Sequence, residues 1–220
     1  MRYRSRIRFT LEGLEGIAIL TGAMCTWPVS KRWLENWGAD LHERGRTWPG
    51  DHLVATKHHR YTRAIDIAAP ADAVWPWVVQ FGLGRAGFYS YELLERLVGI
   101  PVKNVESIES TMQSLAVGDE IRLHPKAPGI PVALLERGRY VCFGTIDEPG
   151  SEASKPDPVR SWSIYVEPAP DGSSRLILRG CVEPPKDQPW SKRLAAALEE
   201  PVDFLMEQRM LRTIKRLAEA

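Results

Sequence analysis

Five side chains capable of chemistry gather on one short stretch, QFGLGRAGFYSYELLERLVG: Gln80, Arg85, Tyr89, Tyr91 and Glu92. An arginine fork binds a carboxylate or phosphate through paired hydrogen bonds. A tyrosine in an apolar pocket donates to a carbonyl. Glycines let backbone approach a ligand closely, and loops on a rigid scaffold often carry function. The plainer use of these residues is fastening. Gln80 and Arg85 would bond loop carbonyls while the tyrosines pack the helix that follows, and a turn holding Gly82, Gly84 and Gly87 needs such ties whatever else it does. Fastening is the favoured role.

The three glycines also spell G-x-G-x-x-G, the dinucleotide fingerprint. That motif works only between a strand and a helix whose N-terminus receives the pyrophosphate. Here the apolar spacing before the glycines is helical, a complete strand precedes that helix, and nothing downstream alternates strand with helix as a doubly wound sheet requires. The dinucleotide reading is set aside.

A second group is apolar. Trp77, Phe143, Trp162, Met206 and Met210 are the candidates for lining a cavity, Met because it adapts to varied apolar surfaces. Each one taken alone reads as plain core. Asp119 and His124 fall on opposite faces of an extended segment, poor geometry for an acid/base pair. His58-His59 is a weak metal site at best, and surface solvation is expected for the histidines. No H-E-x-x-H, G-x-S-x-G or P-loop occurs. No catalytic residue, metal or cofactor is assigned.

The elements that must position these residues follow from periodicity. Arg63 to Ile67 alternates, with Arg63, Ile65 and Ile67 on one side, as a strand does. Pro70 suits a helix's first turn, and Val74, Trp77, Val78 and Phe81 make one apolar helical face. Pro76 implies a kink or a late start. Tyr89 to Val98 reads as a second helix. Glu120 to His124, Val132 to Glu136, Arg139 to Thr145, Ser161 to Glu167 and Arg175 to Val182 read as antiparallel strands, with a tight turn at Arg137-Gly138. Trp190 to Ala218 reads as a long helix interrupted or kinked at Pro201. Its stripe is Val202, Met206, Met210, Ile214 and Leu217, with Glu207, Arg209, Arg212, Lys215 and Arg216 as polar surface. Upstream, residues 1–25 form a basic arm and a short apolar helix, Trp27-Pro28 breaks it, and Ser30 caps a further helix over Lys31 to Trp37. The division expected is an N-terminal extension over residues 1–59 and a main domain over residues 60–220.

The chain has 220 residues, 44% of them hydrophobic and 26% charged, enough for one domain with a real core. Its 29 basic and 28 acidic residues leave a net charge of +1, so no bulk field favours nucleic acid. Cys25, Cys142 and Cys181 are widely spaced with no C-x-x-C, and read as buried inert thiols in a reducing cytoplasm. The segment GIAILTGAM is well short of the roughly 20 residues that span a bilayer. Peripheral membrane contact through residues 1–25 stays open beside a docked helix and a cleaved signal.

The order of elements, with APADAVWPWVVQFG after the first strand and LEEPVDFLMEQRMLRTIKRLAEA at the end, resembles the START-like helix-grip superfamily, also called SRPBCC or polyketide cyclase/dehydrase and lipid transport. The likeness covers about residues 61–220. It is nearest to a bacterial subgroup through WGAD and PGD upstream (Trp37 to Asp40, Pro49 to Asp51), the glycine-rich stretch and LAVGDEIRL. These motifs point to no known reaction. The resemblance implies an α+β fold, an antiparallel sheet wrapped around a long C-terminal helix with extra N-terminal helices, and an apolar cavity between sheet and helix. It further implies binding or transport of a hydrophobic small molecule such as a lipid or polyketide. The ligand-binding set is then Trp77, Gln80, Arg85, Tyr89, Tyr91, Phe143, Trp162, Met206 and Met210. A cyclase/dehydratase acting in the same cavity is the alternative, and a membrane-associated accessory protein the third. Fold alone does not decide among them.

Overall fold

The computed structural model describes residues 2–54, 59–144, 160–182 and 190–220. His58 lies outside the described residues. Among the described residues six strands form one antiparallel sheet in the order β1-β6-β5-β4-β3-β2. They are β1 (His59–Ile67), β2 (Glu120–Ile121), β3 (Ile130–Glu136), β4 (Tyr140–Gly144), β5 (Arg160–Pro168) and β6 (Ser174–Val182). Five helices accompany them: α1 (Arg2–Glu35), α2 (Leu41–Gly45), α3 (Ala71–Val79), α4 (Glu92–Leu97) and α5 (Trp190–Ala218). The fold is α+β, an antiparallel sheet packed against the long C-terminal helix α5, with N-terminal helices added.

Alternation sorts the strands into two faces. On the inner face Ile67, Val141, Phe143, Ile164, Val166, Leu176 and Leu178 join Val74, Trp77 and Val78 of α3 and Met210, Leu211 and Ile214 of α5 in one buried core. On the outer face Ala64, Ala133, Cys142, Tyr165 and Ile177 are covered by Ala39, Trp48 and Leu53 from the segment between α1 and β1. That segment is fastened by the upstream motifs. Gly38 sits at φ +72°, and a Cβ there would stand 2.0 Å from the Ala64 carbonyl oxygen. Asp40 caps α2 by accepting from the Glu43 N–H at 2.7 Å, while Glu43 reaches back to the Asp40 N–H at 2.8 Å. The Pro49 carbonyl accepts from the Tyr165 hydroxyl and the Cys142 thiol. Asp51 receives the Arg179 fork at 2.8 and 3.0 Å, with both side chains almost fully buried.

Several elements depart from the sequence expectation. α1 runs through Trp27-Pro28 without a break. Ser30 caps nothing; its hydroxyl donates back to the Thr26 carbonyl at 3.0 Å, an arrangement a helix interior accepts. The second helix starts at Glu92 and not at Tyr89, because Tyr89 holds φ +55°, outside the helical region. β2 stops at Ile121, since the chain turns at His124, whose carbonyl accepts from the Ala127 N–H, and Pro125 has no N–H for a ladder. α5 continues through Pro201. Its buried face is Phe204, Leu205, Gln208, Met210, Leu211 and Ile214, whereas Val202 is 37% exposed. A strict four-residue stripe drifts by about 40° at each step around a 3.6-residue helix, which carries its first member off the core. Cys142 and Cys181 are buried free thiols, but Cys25 is exposed. Among the described residues no helix is long and apolar enough to cross a membrane.

Candidate functional site

Register builds the site from one row of the sheet. Tyr61 of β1 pairs with Gly180 of β6, Gly180 with Trp162 of β5, and Trp162 with Phe143 of β4. All four face α5. Glycine at the second position leaves space that the Tyr61 ring fills, for a Cβ at Gly180 would lie 2.2 Å from its Cζ. The Tyr61 hydroxyl thereby donates to Glu207 Oε1 of α5 at 2.7 Å. The Trp162 indole N–H donates to the same oxygen at 3.0 Å. Arg63, next on the inner face of β1, donates to Glu207 Oε2 and, through Nε, to the Leu34 carbonyl near the end of α1 at 3.0 Å. Its guanidinium lies 4.3 Å from the Tyr61 ring centre and 5.2 Å from that of Phe204.

Glu207 is therefore not surface, as the sequence reading placed it; its side chain is 13% exposed and joins α5 to two strands. An ionised carboxylate has about four acceptor sites, so the three donors found among the described residues leave it room for one more. Burial, with the Glu207 charge second, pushes the Tyr61 hydroxyl well above the usual phenol range. Tyr61 stays protonated and remains a donor.

Beyond this polar row the interior is aromatic. Phe143 stacks on Trp162 at 5.5 Å between ring centres. Phe81 lies 5.2 Å from Trp162 and 5.4 Å from Phe88. Met210 is buried in the same core and Met206 is half-buried beside it on α5. Trp162, Phe143 and Met210 thus belong to one core. Their rings and chains lie between the sheet and the helices. A cleft of about 420 Å³ lies on the opposite, outer face, walled by Arg46, Trp48, Glu136, Tyr140, Tyr165 and Glu167.

The glycine-rich turn adjoins that panel, to which its flanking Phe81 and Phe88 belong. Gly82 and Gly87 pair as a short antiparallel bridge. Gln80 is fully buried: its amide nitrogen donates to the Tyr89 hydroxyl at 2.8 Å and to the Ser107 carbonyl at 3.0 Å, and its oxygen accepts from the Glu109 N–H and from Gln113. Arg85 donates to the Val79 and Met112 carbonyls, each at 2.8 Å. Burial lowers the Arg85 pKa and raises that of Tyr89. Trp77 meets Tyr89 edge-on at 6.2 Å. Tyr91 packs where α1 meets α5, beneath Arg209 at 5.0 Å, and burial raises its pKa too. In this structure the Gln80 amide and Arg85 Nη2 are engaged in holding backbone carbonyls and loops, while the buried Arg85 Nε has no hydrogen-bond partner among the described residues.

Tyr61, Arg63 and Glu207 were not among the sequence candidates. A signal existed for Arg63, which shares the apolar face of β1 with Ile65 and Ile67. A guanidinium on such a face calls for a buried carboxylate. Nothing in the sequence says which carboxylate.

No family model and no curated protein matches the chain. Solved structures do. The Zhui aromatase/cyclase from a Streptomyces species is 14% identical, over 73% of this chain and 93% of its own, with a TM-score of 0.41. A polyketide-cyclase-like protein from Corynebacterium glutamicum is 15% identical, over 73% and 91%, with a TM-score of 0.41. A protein from Mesorhizobium loti is 12% identical, over 72% and 98%, with a TM-score of 0.37. The helix-grip architecture stands on this chain's own strand order and register.

Proposed function

We propose that the protein binds a hydrophobic small molecule, a lipid, a polyketide or a molecule of similar character, between the sheet and α5. The observation that supports this most is the Glu207 carboxylate, held by Tyr61, Arg63 and Trp162 at the border of the aromatic panel. A guest displacing part of that panel gains about 25 cal/mol for each Å² of apolar surface buried. Its hydrogen-bond donor meets the open acceptor site of Glu207. Phe81, Phe143, Trp162 and Met210 carry the apolar contact, and Gln80, Arg85 and Tyr89 act by holding the turn that backs it. The test is native mass spectrometry of the full chain purified without detergent, with fluorescence titration by 8-anilinonaphthalene-1-sulfonate. A one-to-one adduct, and a saturable quench that shrinks in Trp162→Phe, are expected. A bare chain with no saturable quench defeats the reading.

A second reading, a cyclase/dehydratase-type enzyme, is favoured by the same pair. A protonated Tyr61 beside a carboxylate is a proton donor with an acceptor at hand, as general acid–base chemistry requires. Turnover of a polyketone test substrate that falls in Tyr61→Phe while binding holds supports it; unchanged turnover counts against it. Peripheral membrane contact by residues 1–25 is a third reading, for which the residues to vary are Leu11, Leu14, Ile17 and Met24, exposed along α1.

A further inference from the structure

Three metal-binding side chains converge where α1 ends, β1 begins and α5 passes: Glu35, His59 and Glu200, with their ligand atoms all within 4.8 Å of one another. His59 Nδ1 is 3.5 Å from Glu35 Oε1, and His59 Nε2 is 4.0 Å from Glu200 Oε1. All three are largely shielded yet open to solvent, with side-chain exposures of 22%, 15% and 26% in the order His59, Glu35, Glu200. Lys31, 42% exposed, is the cation now present: it donates to Glu200 Oε1 at 3.2 Å and stands 3.6 Å from Glu35.

The charges do not balance. Among the described residues two carboxylates, Glu35 and Glu200, face the single Lys31 ammonium. Glu35 also closes α1, where the helix carbonyls already concentrate negative potential. Glu200 Oε2 adds an independent observation. It is buried 2.9 Å from Lys31 Nζ but accepts no hydrogen bond. Arg63, the other cation acting on His59, is engaged by Glu207.

We propose that Glu35, His59 and Glu200 bind a first-row divalent transition metal of the Zn²⁺ class, which takes the place of the Lys31 ammonium. One imidazole with two carboxylates suits zinc, cobalt or nickel better than calcium or magnesium, which prefer an all-oxygen shell. Zinc–ligand bonds of about 2.0–2.2 Å in a tetrahedral shell put donor atoms about 3.3–3.6 Å apart, so side-chain shifts of about 1 Å close the site. Lys31 has a long, half-exposed stem that can swing into water. The site is independent of the small-molecule reading above and is tested without any organic ligand.

The experiment is calorimetric titration of the chelator-stripped full chain with ZnCl₂, each variant first checked for native circular dichroism. One ion per chain is expected. His59→Ala and Glu200→Gln should weaken binding by roughly 100-fold or more, beyond the usual effect of an outer-shell partner. Lys31→Met should tighten it by at least about tenfold, because a competing charge is removed. Lys31→Met is also the safeguard, since it alters a half-exposed side chain and leaves all three ligands in place. Cobalt(II) should give a visible band without thiolate charge transfer. Absence of stoichiometric binding, wild-type affinity in His59→Ala, no gain in Lys31→Met, or a thiolate band would each overturn the proposal.

Discussion

Gly180→Ala isolates the space that lets β1 reach α5. The residue is extended and no φ in the left-handed region is involved, so alanine costs nothing in backbone strain. The methyl group would instead lie 2.2 Å from Tyr61 Cζ, 2.3 Å from Cε1 and 2.5 Å from the hydroxyl oxygen. The ring must move, and its 2.7 Å bond to Glu207 goes with it. Overpacking of this kind costs about 1–3 kcal/mol. Loss of a hydrogen bond to a charged acceptor costs about 1.5–3 kcal/mol. Alanine recovers about 0.5–1 kcal/mol over glycine within a strand. The net expectation is a loss of about 2–5 kcal/mol, worth about 2–4 °C in Tm per kcal/mol for a chain of this size. Urea denaturation of four proteins measures it: wild type, Gly180→Ala, Tyr61→Ala and the double variant. In the Tyr61→Ala background the clash is gone, so Gly180→Ala should be neutral or mildly stabilising. Equal effects of Gly180→Ala in both backgrounds would show no coupling and refute the reasoning.

Other outcomes follow from the same coordinates. Burial raises the Glu95 pKa above its ordinary 4.5, with Ser90 donating at 2.8 Å. The favourable protonated form is complete below the unfolded pKa and is lost as pH rises through the raised folded value. Glu95→Gln should therefore raise Tm at pH 7, with the advantage fading on acidification through the carboxylate range. Asp51→Ala should cost about 3–5 kcal/mol in urea unfolding, because it strands the buried Arg179 charge. Gly50→Ala should lower Tm, since Gly50 holds φ +87° and its Cβ would stand 2.8 Å from Cys142 Sγ. Flotation with anionic vesicles should carry the full chain and release a Leu11→Ser/Leu14→Ser variant if residues 1–25 touch membranes; equal recovery of both would exclude contact through those leucines.

The architecture was largely legible because period-two and period-four apolar patterns are local properties. Trp162, Ile164 and Val166 alternate in β5 as the sequence shows, and the β3–β4 turn falls at Arg137-Gly138. The polar row was not legible. Tyr61, Arg63 and Glu207 are up to 146 residues apart, and only strand register and the rotation of α5 bring them together. Rotation was misjudged because a stripe drawn every fourth residue spirals, which put Glu207 outside and Val202 inside. The break expected at Pro28 is absent: α1 packs on both sides of that position, where Gly13 admits Leu93 of α4 and where Trp33 lies 6.0 Å from Phe204 of α5.

The cover on the outer face of the sheet decides how this chain can be cut. Starting the polypeptide at residue 60 would uncover Ala64, Ala133, Cys142, Tyr165 and Ile177 at once and leave a buried guanidinium without its counter-ion. Such a fragment would present water with a broad oily sheet and should precipitate or pair with itself. Residues 37–54 are in effect a seventh wall of the sheet built from loop, and any experiment on the helix grip has to keep them attached.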